Sequence, residues 1–477
     1  MPVIRFAPSG WQGRFDGDFS EANVTRVAGA IGAIWSQRYG DARVYVGYDR
    51  RYHAESFALL IGKALAAFGL QPQVSLGACP LPAVEWAAAN DSHAAGALMV
   101  TASESPCEYG GIIARGKDGG PVTSAFAREV ERRVLANPLP TYGEVERADL
   151  VKPYLDNLLS YFDTDLIRSA QLRIVLDPMY GAASGVLYSA LETMGCSVTE
   201  IHGDRREDFD GLHPKPVEPW VDECEQLVIC QHADVGFVLD GDGDRASLID
   251  EKGRLIVAHN LAPLILGYLV EYHGLRGRVV TTLASSMRTV SQAKRLGLEV
   301  TQVPVGFDRL YAEVRQGDVV MAAEEYGGIC IPAHLYERDG LLSCLLVLEL
   351  LAQEKRPLSE LVDELSERLG SMSYIRRDLR LDSAASQTLR NLLPGLNPPT
   401  LAGMEPVSVN HAEGLRVQFK NGSWAMLRPS RSGSYVRVYA EAANAEARDA
   451  LIEAMSQLAK HPHIWKHHGE SSITLAK

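Results

Sequence analysis

Cysteine is scarce and unpatterned in this sequence. The seven present are odd in number and include no Cys-x-x-Cys pair. That argues against a disulfide framework and predicts reduced thiols in a cytoplasmic protein. Basic charge is also short, with 47 Lys and Arg against 60 Asp and Glu, a net charge of −13. Such a chain is a poor ligand for nucleic acid or an anionic membrane, so an anionic substrate has to be drawn in by a local basic pocket. No apolar run reaches membrane-spanning length, and the first residues are too polar for a secretory signal. The length, 477 residues, suggests three or four domains.

The densest chemistry lies in Asp240-Gly241-Asp242-Gly243-Asp244-Arg245. Val235 to Leu239 and Ala246 to Ile249 are short apolar runs that predict strands on either side. The glycines let the backbone curl, so three carboxylates can converge. Close carboxylates repel unless a cation neutralises them. Hard oxygen ligands with positions left open suit Mg²⁺ bound together with a phosphate. A calcium EF-hand is the rival, since Glu251 falls twelfth from Asp240. Its sixth position would then be Arg245 instead of glycine, and strands would replace the flanking helices. The plainest alternative is an exposed acidic turn.

Ser103 follows the apolar run Gly96 to Val100, in Thr101-Ala102-Ser103-Glu104-Ser105-Pro106. A hydroxyl at the carboxyl end of a parallel strand lies where open α/β sheets bind ligands, and it can carry phosphate covalently. Turn or helix-cap duty is the ordinary alternative for such a serine.

Strand and helix patterns alternate along most of the chain. Arg43 to Gly47, Glu55 to Phe68, Gln73 to Leu76 and Leu81 to Ala89 read as strand, helix, strand, helix, the rhythm of a βαβ domain. Asn137 to Gly143 reads as a linker. A second block runs from a helix near Val151 through a strand at Leu172 to Leu176 to the acidic loop. A third runs from a helix at Asn260 to Tyr272, through a strand at Arg278 to Thr282, to a helix at Asp339 to Leu351. From about Ser373, short alternating strands precede a final helix at Ala445 to Leu458. The expected fold class is α/β, with three blocks of similar size and alternation followed by a C-terminal α+β block. The expected boundaries are 1–142, 143–256, 257–372 and 373–477.

The last block holds the clearest basic cluster, with Arg428, Arg431 and Arg437 around Ser430, Ser432 and Ser434. Arginine with serine hydroxyls can hold a phosphate by charge-assisted hydrogen bonds. Arg14, Arg51 and Arg115 are further phosphate aids or, more commonly, surface salt-bridge residues. His461, His463, His467 and His468 read as a solvated tail, and Trp11 as packing.

Taken together, these segments resemble the α-D-phosphohexomutase family, which includes phosphoglucomutases and phosphomannomutases. Ser9 to Gly13, Val46 to Arg51, Thr101 to Ser103, Asp177 to Gly185, Asp240 to Arg245, Pro304 to Phe307, Glu324 to Gly328 and Arg428 to Tyr439 are similar to its signatures and fall in its order. The resemblance implies a phosphoserine at Ser103 and Mg²⁺ held by the Ser103 phosphate, Asp240, Asp242 and Asp244. Arg245 would steady that loop or the phosphate. Glu324 would contact the sugar, and Arg428, Ser430, Arg431 and Ser432 would hold the phosphate that is not reacting. It further implies three similar α/β domains with mixed sheets and a C-terminal α+β domain around a central cleft, a phosphorylated hexose as substrate, a hexose 1,6-bisphosphate activator, and a monomer or homodimer. The departures are many. Glu104-Ser105 stands for His-Asn, Gln12 for an arginine, Ile113 and Asp308 for lysines, Tyr326 for a serine, and Arg431-Ser432 for Gly-Thr. With the family's acid–base positions altered, Glu104 is the nearest candidate proton acceptor, and a cap on a helix beginning near Pro106 is its other reading. A catalytically weak sugar-phosphate binder and a metal-dependent phosphatase are the alternative functions.

Overall fold

A computed structural model describes residues 4–134, 143–429 and 435–461. It divides into two compact units, 1–280 with 307–362, and 281–306 with 363–477. Three α/β blocks precede a β-rich fourth.

The first sheet has six strands in the order Trp11–Arg14, Tyr109–Gly116, Ala94–Val100, Arg43–Tyr48, Gln71–Ser75 and Glu146–Ala148. The first three pair antiparallel and the rest parallel. Ala94–Val100 is buried at every position, as expected of a strand covered on both faces. Its Leu98 and Val100 belong to a core with Val27, Ile31 and Ile61 of the flanking helices Glu21–Tyr39 and Ala54–Ala66. Burying each such aliphatic side chain contributes about 1.5–3 kcal/mol. Gly47 admits this packing, since a Cβ there would lie 2.3 Å from Val84 Cγ2. Trp11 packs against Phe19, with ring centroids 5.3 Å apart.

The second sheet runs Leu255–Ile256, Ala246–Asp250, Val235–Leu239, Arg173–Asp177 and Ser197–Glu200. Its first three strands pair antiparallel and its last three parallel. The acidic loop is the connection of the hairpin Val235–Leu239 and Ala246–Asp250, so strands flank it and the EF-hand alternative fails. In the third block Val319–Ala323 pairs antiparallel with Ile329–Cys330. The turn between them carries Glu324. Helix Gly340–Glu354 follows, capped by the Asp339 carboxylate, which accepts the Leu342 N–H at 2.9 Å.

The second unit is built on a five-stranded antiparallel sheet, in the order Ser373–Arg380, Tyr435–Ala442, Trp424–Pro429, Leu415–Phe419 and Pro406–Asn410. Helix Ala445–Lys460 buries Leu451, Ile452, Met455 and Leu458 in the sheet's core. Within this unit, buried Glu441 accepts hydrogen bonds from Ser286 and from the Met287 N–H at the start of helix Met287–Arg295, and from Trp424 Nε1.

Candidate active site

The serine loop is shaped by one arginine. Ser103 has φ 48°, a left-handed conformation that costs a non-glycine residue energy unless its surroundings impose it. Arg51 imposes it. Its guanidinium donates to the carbonyls of Ser103 (2.6 Å), Ser105 (2.7 Å), Pro106 (2.7 Å) and Tyr109 (3.3 Å), and pairs with Asp49 at 3.0 Å. Arg51 is 2% exposed, and its guanidinium lies 4.9 Å from the Phe209 ring centroid. The Ser103 N–H donates to Thr101 Oγ1 at 2.9 Å. The expectation that Arg51 sits in a surface salt bridge is therefore overturned. No helix begins at Pro106 either: the strand Tyr109–Gly116 follows, so Glu104 caps nothing.

The Ser103 hydroxyl donates to Asp240 Oδ2 at 3.1 Å, which joins the two loops. Asp240, Asp242 and Asp244 are buried, and each turns a carboxylate oxygen to within 4.8 Å of the others. Both Asp242 oxygens and Asp244 Oδ1 are buried without a hydrogen-bond partner. An unpartnered buried carboxylate is costly, and a hard divalent cation is the partner this donor set fits. Burial first, and then Asp242 and Asp244, push the Asp240 carboxyl well above the usual range. Burial and Asp244 push Asp242 up to about 7. Burial alone would raise Asp244 too, but Arg338, Arg245 and Arg115 hold it below its ordinary value.

The loop backbone is held from four sides. Gly241 N–H donates to the Pro214 carbonyl, Ala182 N–H to the Gly241 carbonyl, Leu81 N–H to the Asp242 carbonyl and Gly340 N–H to the Gly243 carbonyl. Close approach explains the glycines: a Cβ on Gly241 would lie 2.5 Å from the Ser103 carbonyl oxygen, and Gly243 has φ 76°.

Arg245 spans the site. Its Nη1 lies 3.3 Å from Glu104 and 3.5 Å from Asp240, and its Nε lies 3.6 Å from Asp244. Glu324 reaches the site through Arg338, which contacts Glu324 at 2.9 Å, Asp244 at 2.7 Å and Glu337 at 3.3 Å. Glu337 passes the network to Arg115 (3.1 Å), which is paired with Glu85 at 2.5 Å. Arg115 is 2% exposed, so its surface reading is also overturned; Arg14, paired with Asp16 at 2.9 Å, is an exposed salt-bridge residue. Seven carboxylates (Glu85, Glu104, Asp240, Asp242, Asp244, Glu324, Glu337) face three guanidiniums (Arg115, Arg245, Arg338). The surplus of carboxylates over guanidiniums again favours a bound cation.

The structure thus brings Ser103, Glu104, Asp240, Asp242, Asp244, Arg245 and Glu324 together. Arg428 belongs to the other unit, where it pairs with half-buried Glu413 at 3.3 Å. Glu413 also accepts the Val305 N–H at 2.6 Å. Ser430, Arg431 and Ser432 lie outside the described residues, as do Ser434, His463, His467, His468 and most of the expected linker. Arg338 went unread in the sequence. Its only signal is its place just before the capping Asp339.

The same loops identify the chain's relatives. Family models for phosphoglucomutase/phosphomannomutase α/β/α domains I, II and III match residues 4–140, 152–253 and 258–369. The chain belongs to this family. Its members are α-D-phosphohexomutases, which are isomerases. A phosphoglucomutase/phosphomannomutase of Thermococcus kodakarensis is 27% identical over 94% of this chain and 96% of its own. A Thermus thermophilus protein crystallised as a phosphomannomutase candidate superposes with a TM-score of 0.86 at 29% identity, covering 96% of this chain and 99% of that one. An Aspergillus fumigatus N-acetylphosphoglucosamine mutase, solved in complex with GlcNAc-6P and magnesium, shares the fold at a TM-score of 0.57 and 14% identity, covering 96% and 95%. Among the described residues of this mutase-family chain, no helix is long and apolar enough to cross a membrane, and all seven cysteines are free.

Proposed function

We propose that the protein is a Mg²⁺-dependent phosphohexomutase that interconverts hexose 1-phosphate and hexose 6-phosphate through phosphorylated Ser103. The observation that carries this reading is the Ser103 hydroxyl 3.1 Å from Asp240, beside buried carboxylate oxygens that lack a hydrogen-bond partner. Phosphorylated Ser103 hands its phosphoryl group to a free sugar hydroxyl, whose proton passes to a base. The bisphosphate turns over in the site, and its other phosphoryl group returns to Ser103. Asp240, Asp242, Asp244 and the Ser103 phosphate would hold a divalent cation, which would supply charge neutralisation during the transfer. Glu104 is the proton acceptor in this reading. Arg245 supports the assignment, because it links Glu104 to the Asp240 carboxylate that receives the serine hydroxyl. Arg428, with Ser430, Arg431 and Ser432, holds the phosphate that is not reacting. Hexose 1,6-bisphosphate is the expected activator, since it phosphorylates an empty serine.

The test is an assay of glucose, mannose and glucosamine 1-phosphates with Mg²⁺, after priming with glucose 1,6-bisphosphate, together with the intact mass of the primed protein. The expected result is one phosphate on Ser103 and turnover of at least one sugar. A primed protein without phosphate and without turnover would overturn the assignment.

A further inference from the structure

Lys215 sits between two buried prolines, Pro214 and Pro216, and is itself half-buried. Proline locks its own φ, so the segment is a stiff strut that presents one lysine. The strut is seated on the metal loop. The Pro214 carbonyl accepts the Gly241 N–H at 3.2 Å. A Cβ on Gly241 would lie 3.2 Å from the Pro214 ring and 2.5 Å from the Ser103 carbonyl. At the loop's other end a Cβ on Gly327 would lie 2.7 Å from the Ala246 carbonyl. The residue before Gly327 is Tyr326, and the Lys215 ammonium lies 5.4 Å from its ring centroid. Lysine and ring together therefore span the Asp240–Arg245 loop from Gly241 to Ala246.

An anionic substrate entering this acidic site needs a cation that is not already spent on a carboxylate. Arg245 and Arg338 are both spent in this way. Lys215 makes no ion pair among the described residues. Its attraction to an aromatic face is weak when partly exposed, and a phosphate's charge-assisted hydrogen bonds are stronger. A lysine ammonium is a point charge with three donors on a flexible stem, suited to a phosphoryl group that changes orientation within one site.

We propose that Lys215, presented on the face of Tyr326, is the ligand this chain supplies for a phosphoryl group of its sugar substrate, with Tyr326 as the positioning residue. The proposal rests on the mutase reading above and adds to it a residue pair of this chain's own.

The test compares Lys215→Met, Lys215→Arg, Tyr326→Ala and the double variant Lys215→Met with Tyr326→Ala. Calorimetric binding of hexose 1-phosphate, steady-state kinetics and the thermal shift caused by Mg²⁺ are the readouts. Losing a charge-assisted hydrogen bond should raise both KM and the dissociation constant roughly 10- to 100-fold in Lys215→Met. Lys215→Arg should recover most of that loss. Tyr326→Ala should show a smaller loss and add nothing to Lys215→Met, because a platform without its lysine has no function. The Mg²⁺ shift should stay as in the wild type, which separates substrate binding from a damaged loop. If Lys215→Met does not fold, Lys215→Gln carries the same expectation. A Lys215→Met or Lys215→Gln variant within twofold of wild type in affinity and KM would overturn the proposal. A wild type that binds hexose phosphates through Lys215 without turning them over would sink the mutase reading and leave the ligand assignment standing.

Discussion

Arg51 donates to the Ser103 carbonyl at 2.6 Å while its Nε pairs with Asp49 at 3.0 Å, so one buried guanidinium ties the strand end at Asp49 to the loop that carries the serine. Arg51→Met should destabilise the protein by about 3–5 kcal/mol, the cost of leaving a buried charge unpaired. Arg51→Lys should recover part of this, since it restores charge but not the planar fork that reaches four carbonyls. Urea unfolding followed by tryptophan fluorescence measures both. A loss below about 1 kcal/mol in Arg51→Met would place the loop's support elsewhere.

Ser103→Ala deletes the proposed phosphate carrier and one hydrogen bond to Asp240. Turnover should vanish, and the protein should gain no mass on treatment with hexose bisphosphate, with an unchanged melting temperature to within a few degrees. Comparable activity in this variant would end the phosphoserine mechanism.

Asp242→Asn has two consequences. Without metal, Asp242 titrates at about 7 in the fold against an ordinary 3.8. Its folded value is raised, so the stability it contributes is full below pH 3.8 and is lost as pH rises through about 7. In chelator the variant should therefore be more stable than wild type at about pH 8, by an amount on the order of a few kcal/mol. In Mg²⁺ the order should reverse, because the neutral amide is a poorer ligand. Melting curves in chelator and in Mg²⁺ decide the matter, and a variant with the wild-type Mg²⁺ response would show that the loop is only a turn.

Glu104→Gln keeps shape and some hydrogen bonding but loses basicity. Substrate affinity should hold while the turnover rate falls roughly 10²- to 10⁴-fold, the usual worth of a general base. A rate within a few-fold of wild type would remove Glu104 from the mechanism.

His202 offers a pH test away from the serine. Its ring nitrogens lie 3.0 Å from Asp177 and 3.2 Å from Glu223. Burial alone would lower its pKa, but Asp177 and then Glu223 outweigh burial and raise it above 6.5. The pair's contribution is thus full below pH 6.5 and is lost as pH rises through the folded value. His202→Gln should flatten that decline in melting temperature, and an unchanged pH profile would show that the contacts carry no charge.

The acidic loop and Ser103 were legible as candidate site segments because each is a local pattern: an apolar run ends, and glycine or small residues then expose the polar ones. The elements followed for the same reason, and Leu81–Ala89 and Arg278–Thr282 match their predicted spans. Arg51, Arg115 and Arg338 were misread or missed. Their partners lie 52, 30 and 14 residues away in the cases of Ser103, Glu85 and Glu324. Composition alone cannot tell a buried arginine from an exposed one. Asp49 before Arg51 and the capping Asp339 after Arg338 were the nearby hints.

The four backbone anchors on the Asp240–Arg245 loop bear on how an ion would enter. Pro214, Ala182, Leu81 and Gly340 bond that backbone to protein groups and leave the carboxylates to the ion, so little chain entropy remains to be surrendered on binding. Capture of the ion then becomes mainly relief of mutual repulsion among fixed charges. Its affinity should respond steeply to ionic strength and to pH, while amide exchange across the loop should be slow both before and after the ion arrives.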